Sequence, residues 1–285
     1  TIVGAGGVGK TRVALEVAQR SEAPIVLLLA PVTDPAAIPH ALASALNLQV
    51  VQGDVLAACM AFLGERPGLL VVDNCEHLLD AARETVTAVL SACARLSVLA
   101  TSREPLGLGA EHTFRLSPLT LPGRDKDLAH VPSVALFLDR ARRVRPGPPP
   151  AQEDLRLVAD IVRRLDGLPL AIELAAGRLS GLSLPDLHRR LDRALDLLGG
   201  RTGGGARHRT LRATVAWSYQ LLDDDERRLF RYLSVFVDGI ALDDAERLAT
   251  DLGLADDPGT VLSRLVDTSM LDAEFTEDGT RYRML

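Results

Sequence analysis

The stretch TIVGAGGVGKTRVALE at residues 1–16 constrains this chain more than any other. An apolar run breaks into four glycines and resumes with helical spacing. Within it, Gly4-Ala5-Gly6-Gly7-Val8-Gly9-Lys10-Thr11 fits G-x-x-x-x-G-K-[S/T], a phosphate-binding loop. The glycines permit backbone conformations and close approaches that a Cβ would obstruct. Successive N–H groups then point at phosphate oxygens, with a helix N-terminus behind them. Of 32 Lys and Arg residues only Lys10 and Lys126 are lysine, so Lys10 is not a generic positive charge. The pattern implies a nucleoside phosphate bound by Gly6, Gly7, Val8, Gly9, Lys10, Thr11 and Arg12, with the Thr11 hydroxyl on Mg²⁺.

The motif needs a strand before it and a helix after it, and the rest of the N-terminal half repeats that alternation. Thr1–Gly4, Pro24–Ala30, Leu69–Asp73, Val98–Thr101 and His112–Leu116 read as strands. Pro35–Leu46, Val55–Leu63 and Glu76–Leu96 carry helical spacing between them. Alternating strands and helices imply a parallel sheet covered on both faces, an α/β phosphate-loop domain over residues 1–121. From residue 122 the strand signals stop, and residues 122–200 read as an all-helical domain. Arg145–Pro150 is a stiff connector, and Gly199–Gly205 a flexible joint. Ser183 to Asp186 resembles a capping box with Asp in place of Glu. Residues 201–285 read as four helices, Thr210–Leu222, Asp223–Val235, Leu242–Leu252 and Thr260–Ser269, then two strands around a turn at Glu277-Asp278-Gly279. Helices followed by a hairpin suggest a winged helix.

Composition bounds the function classes. The chain has 285 residues, 47% hydrophobic and 25% charged, as globular proteins do. Its net charge of −6 gives no reason to expect a chain-wide nucleic-acid surface. Cys59, Cys75 and Cys93 show no paired spacing and read as reduced thiols of a cytoplasmic protein. The six histidines lack metal-ligand spacing, and no apolar run is long enough to span a membrane. A chain that begins inside a strand reads as a piece of a longer one.

Three further segments complete a nucleotide site. Asp73, ending Leu69-Leu70-Val71-Val72-Asp73, can hold Mg²⁺ opposite Thr11, although such an Asp can equally cap a turn. Asn74 follows where a water-activating carboxylate often stands; Glu76 is the nearest candidate for that role, and slow turnover is expected. Arg103, in Thr101-Ser102-Arg103, can donate to a terminal phosphate or form a surface salt bridge. Gly167-Leu168-Pro169 breaks a helix and offers the flat Pro169 ring to a base.

These segments, in this order, resemble the signal-transduction ATPases with numerous domains, also called STAND or NB-ARC proteins. Asp73-Asn-Cys-Glu-His-Leu78, Thr101-Ser-Arg-Glu-Pro-Leu-Gly107 and Leu211-Arg-Ala-Thr-Val-Ala-Trp-Ser-Tyr219 look like the bacterial transcriptional regulators among them, of antibiotic-regulatory-protein or LuxR type. The resemblance implies an ADP/ATP switch with a nucleotide domain, a helical lid and a winged helix, attached to further domains. It makes Asp73 the Walker B acid and Arg103 the sensor, and puts Pro169 on the adenine. A nucleotide-dependent homo-oligomer is compatible with it, as are an AAA+-like ATPase acting on nucleic acid and a scaffold with a vestigial site. Related proteins commonly carry Met-His-Asp after the wing; here Met284-Leu285 stand there, and Leu285 has no side-chain donor for phosphate. The last module is not expected to bind DNA: residues 223–285 hold seven Arg and no Lys against sixteen Asp and Glu, a net charge of −9.

Overall fold

The structure is a computed structural model that describes residues 1–49, 53–64, 66–123, 127–148, 150–198, 215–216, 219–220, 222–236, 239–268, 270–276 and 279–284. The joint at Gly199–Gly205, most of Thr210–Leu222, Lys126, the turn residues Glu277 and Asp278, and Leu285 lie outside the described residues. The chain divides into two compact units, Thr1–Ser117 and Pro118–Leu285.

The first unit is an α/β layer structure. Five strands, β1 (Ile2–Val3), β2 (Pro24–Leu28), β3 (Gly68–Asp73), β4 (Leu96–Ser102) and β5 (Phe114–Arg115), form one sheet in the order β2-β3-β4-β1-β5. Every pairing is parallel. The strand interior explains the two-sided cover, because alternate residues point to opposite faces. Val71 packs with Ile2, Ala14 and Ala18 beneath α1 (Lys10–Gln19). Its neighbours Leu70 and Val72 join the larger core with Leu42, Cys59, Leu63, Val86 and Val89. These come from α2 (Ile38–Ala45), α3 (Val55–Leu63) and α4 (Leu79–Ala92). The helix expected over Glu76–Leu96 is shorter at both ends. Cys75–His77 is a single 3₁₀ turn, and Cys93 leaves helical geometry so that Leu96 already belongs to β4.

Because the strands are parallel, their carboxyl ends share one edge, which is where such sheets bind ligands. Register brings the motifs into line there: Val3 lies opposite Ser102, and Val72 opposite Ala100. The ends of β1, β3 and β4 therefore deliver the phosphate loop, Asp73 and Thr101 to the same edge.

The second unit begins with four helices, α5 (Pro132–Val144), α6 (Gln152–Arg164), α7 (Pro169–Gly177) and α8 (Leu184–Leu198). At the start of α8, Asp186 N–H donates to Ser183 Oγ at 3.3 Å and the Asp186 carboxylate accepts from the same hydroxyl. Three more helices follow: α9 (Asp224–Leu233), α10 (Leu242–Asp251) and α11 (Pro258–Asp267). A small antiparallel sheet, β6 (Ile240–Ala241), β7 (Leu271–Thr276) and β8 (Gly279–Met284), has the order β6-β8-β7. Leu174 of α7 shares one core with Leu229, Leu233, Val261, Leu262 and Leu265, so the two helical groups of this unit pack as one.

Candidate functional site

The loop between β1 and α1 has the geometry its glycines predict. Gly7 and Gly9 have φ of 73° and 98°, in the left-handed region that disfavours side chains. A Cβ on Gly4 would lie 2.8 Å from the Leu116 carbonyl oxygen, so only glycine fits beside β5. Helix α1 starts on Gly9 with no side-chain cap and no acidic residue in its first turn. Helices α2, α4, α5, α7 and α10 also start without a side-chain cap, so what marks α1 is the glycine loop and the lysine beside its first turn. A helix N-terminus left uncapped beside a lysine is a prepared anion site.

Lys10 sits inside this loop. It is 9% exposed, and its Nζ donates to the carbonyls of Gly4 at 3.0 Å and Ala5 at 3.2 Å. Among the described residues no carboxylate lies within ion-pair distance of it. Burial lowers its pKa, with Glu76 and Asp73 acting to raise it and Arg103 to lower it further. A buried ammonium held only by neutral carbonyls is costly unless an anion completes its shell. That is the physical case for phosphate.

Asp73 ends β3, and each of its oxygens is held by one hydroxyl. Thr11 Oγ1 donates to Oδ2 at 3.1 Å, and Thr101 Oγ1 donates to Oδ1 at 2.6 Å. Thr101 in turn accepts from Asn74 N–H at 2.9 Å. The pair Thr11 and Asp73 fits a hard cation that keeps several waters and needs few protein ligands, as Mg²⁺ does. Among the described residues no group of three or more His, Cys, Asp or Glu could hold a metal instead.

Asn74 adopts φ 66°, and its side-chain amide donates to His77 Nδ1 at 3.2 Å. His77 Nε2 donates to the Val32 carbonyl at 2.9 Å, which leaves Nδ1 as the acceptor. Arg103 follows β4, and its Nε donates to Glu76 Oε1 at 3.1 Å. Cys75, between Asn74 and Glu76 in the chain, is buried, and desolvation pushes its thiol up to about 12, so it is no nucleophile.

The structure thus brings Gly6, Gly7, Val8, Gly9, Lys10, Thr11, Asp73, Glu76 and Arg103 to one edge of the first unit's sheet. Arg12 is exposed on the first turn of α1. Pro169 is the first residue of α7 in the second unit. Its turn is pinned: Gly167 has φ 65°, its carbonyl accepts from Leu119 N–H at 2.9 Å, and a Cβ there would lie 2.3 Å from the Leu119 oxygen.

Two supporting residues were not singled out by motif. Glu111 accepts N–H bonds from Leu106, Gly107 and Leu108 at 2.9, 2.7 and 3.3 Å. Arg83 Nε donates to the Leu106 carbonyl and its Nη1 pairs with Asp80 at 2.8 Å. Together they clamp the loop that follows Arg103. The sequence signal for them is Gly107, whose φ of 79° in the structure marks a tight turn with main-chain donors to satisfy.

No family model matches the chain. A protein of Mycobacterium tuberculosis, Rv0894, is 35% identical over 294 residues, covering 100% of this chain and 73% of its own length. The chain belongs to the family of this mycobacterial protein. It is also 41% identical over 293 residues to the "Putative HTH-type transcriptional regulator Rv0890c" of the same organism, of whose length it spans 32%. Among solved structures, it resembles a Signal Transduction ATPase with Numerous Domains (STAND) protein with a tetratricopeptide repeat sensor, PH0952 from Pyrococcus horikoshii. The TM-score is 0.60 at 14% identity, over 99% of this chain and 38% of that one. The chain therefore shares the fold of the matching part of that protein. Among the described residues no helix is long and apolar enough to cross a membrane.

Proposed function

We propose that this chain is an adenine-nucleotide switch, the regulatory ATPase module of a larger bacterial transcriptional regulator. The observation that carries this is the Lys10 ammonium, buried in a glycine loop at a helix N-terminus, whose hydrogen-bond partners among the described residues are the main-chain carbonyls of Gly4 and Ala5. Lys10 and the loop amides would hold the phosphates, and Thr11 with Asp73 the Mg²⁺. When bound, Mg²⁺ neutralises phosphate charge. Arg103 would report the terminal phosphate, and Pro169 would meet the adenine.

Slow turnover suits the chemistry of the residues present. Asn74 cannot take a proton from water near neutral pH, and its side chain is tied to His77. Glu76 is the carboxylate available for that task, and it is engaged by Arg103. A switch needs occupancy of two states rather than fast hydrolysis.

The three-module reading is proposed on the same basis: a nucleotide domain over 1–121, a helical lid over 122–200 and a winged helix over 201–285. Helix α9, strand β6, helices α10 and α11, then the hairpin β7–β8 follow the element order of a winged helix. Arg264, the one cation on α11, is already paired with Asp223 at 3.0 Å and with Asp256. With a surface this acidic, the module acts as a clamp and leaves DNA contact to other parts of the full-length protein. Such a protein is cytoplasmic, and a nucleotide-dependent homo-oligomer is in keeping with this class.

Titration of the purified chain with ADP and Mg²⁺ in a calorimeter tests the reading. Saturable binding by the wild type and its loss in Lys10→Ala are expected. Equal binding by both would refute the assignment.

A further inference from the structure

Glu76 and Arg103 form an ion pair of unequal partners. The Glu76 side chain is 16% exposed, that of Arg103 60%. Only Oε1 of Glu76 is engaged, by Arg103 Nε; Oε2 is buried and has no hydrogen-bond partner among the described residues. A half-buried carboxylate with one bare, buried oxygen is held at a cost, and the guanidinium offsets part of it. The pair also lies in the field of the phosphate-loop ammonium, on which Glu76 and Arg103 act in opposite senses.

A phosphate oxygen is a stronger partner for a guanidinium than a single carboxylate contact, because it carries more charge and accepts in a forked geometry. Arg103 is mostly solvated on its free side, so it can change partner without unpacking a core. Glu76 cannot follow; it is fixed in the 3₁₀ turn between β3 and α4. We propose that Glu76 is the resting partner of Arg103, from which the terminal phosphate of a triphosphate must draw the guanidinium. The ion pair then biases the site toward the diphosphate. This rests on the reading of the site as an adenine-nucleotide site, and makes Glu76 a positioning residue that sets nucleotide preference.

The test is a double-mutant cycle on nucleotide affinity in the whole chain. ADP and the β,γ-methylene analogue of ATP, each with Mg²⁺, are titrated into wild type, Glu76→Gln, Arg103→Gln and the double variant. Exposed or half-exposed ion pairs are worth little, so Glu76→Gln should raise the triphosphate-to-diphosphate affinity ratio by about two- to fivefold. In the Arg103→Gln background the same change should leave the ratio unaltered. An equal rise in both backgrounds would mean that Glu76 merely repels phosphate charge, and would overturn the exchange. An unchanged ratio in Glu76→Gln alone would overturn it too. Should Glu76→Gln fold poorly, Arg103→Gln still reads the pair from its solvated end: it must lower the ratio, and an unaltered ratio sinks the proposal. Wild type that binds neither nucleotide would refute the underlying site, a result distinct from binding with an insensitive ratio.

Discussion

Thr101→Val isolates the hydroxyl that ties the acid of β3 to β4. The side chain is 1% exposed, so water cannot replace the lost group. Its Oγ1 makes two bonds, donating to Asp73 Oδ1 at 2.6 Å and accepting from Asn74 N–H at 2.9 Å. A hydrogen bond to a charged group contributes about 1.5–3 kcal/mol, and a buried N–H left without an acceptor costs about 1–3 kcal/mol. The added methyl returns about 0.8 kcal/mol of apolar burial. The net loss is about 2–5 kcal/mol, placed entirely in the first unit. Urea unfolding followed by far-UV circular dichroism measures it as a lower midpoint at unchanged slope. Hydrogen exchange supplies a local check, because the Asn74 amide should lose its protection in the variant. Thr101→Ser keeps the hydroxyl and sheds one methyl, at about 1 kcal/mol. If Val is no worse than Ser, or the Asn74 amide stays protected, the two-bond role of Thr101 is wrong. With Asp73 released from one of its two hydroxyls, Mg²⁺-dependent nucleotide affinity should fall in Val and be retained in Ser.

Gly167→Ala should destabilise the second unit by about 2–5 kcal/mol, combining a left-handed φ of 65° with a Cβ placed 2.3 Å from the Leu119 oxygen; a loss under about 1 kcal/mol in urea unfolding would contradict that packing. Glu111→Gln should cost about 1 kcal/mol at pH 7, since an amide oxygen replaces a carboxylate that accepts three main-chain N–H groups. Burial pushes the Glu111 carboxyl up, but hydrogen bonds from Thr1 and those three N–H groups outweigh it, so the folded pKa is lowered. Its contribution is therefore full above the unfolded value of about 4.3 and disappears as pH falls through the lower folded value. Urea midpoints of wild type and variant should differ at pH 7 and converge in acid; a constant difference would refute the sign.

What was legible in the sequence was local. The glycine loop before α1, the Ser183–Asp186 cap and the Val55–Leu63 helix are written in consecutive residues, and the structure forms them where the spacing puts them. The strands were legible as apolar runs, but their ends were less so. Residues Leu96 and Ser97 continue the alternation of β4 only because Cys93 breaks the helix before them, a choice made by packing rather than propensity. Strand β6 has two residues, too few for any period; it exists because Ile240 and Ala241 pair with Tyr282 and Arg281, 42 and 40 positions further along the chain.

The same division runs through the site, and it separates binding from tuning. The groups proposed to grip an anion are main-chain amides of one loop, so a contiguous motif is enough to specify them. Groups proposed to set how the site responds pair across elements: Glu76 with Arg103, and Thr101 with Asp73. Both pairs join side chains from neighbouring strand ends and turns, and the pairing is fixed by strand order, which no local spacing encodes. A related chain with the same loop but a different residue at position 76 should therefore bind nucleotide equally well in kind and differ in which phosphate count it prefers. Residue identity at that position, compared with measured diphosphate preference across such chains, would tell whether the grip or the Glu76–Arg103 pair governs the proposed switch.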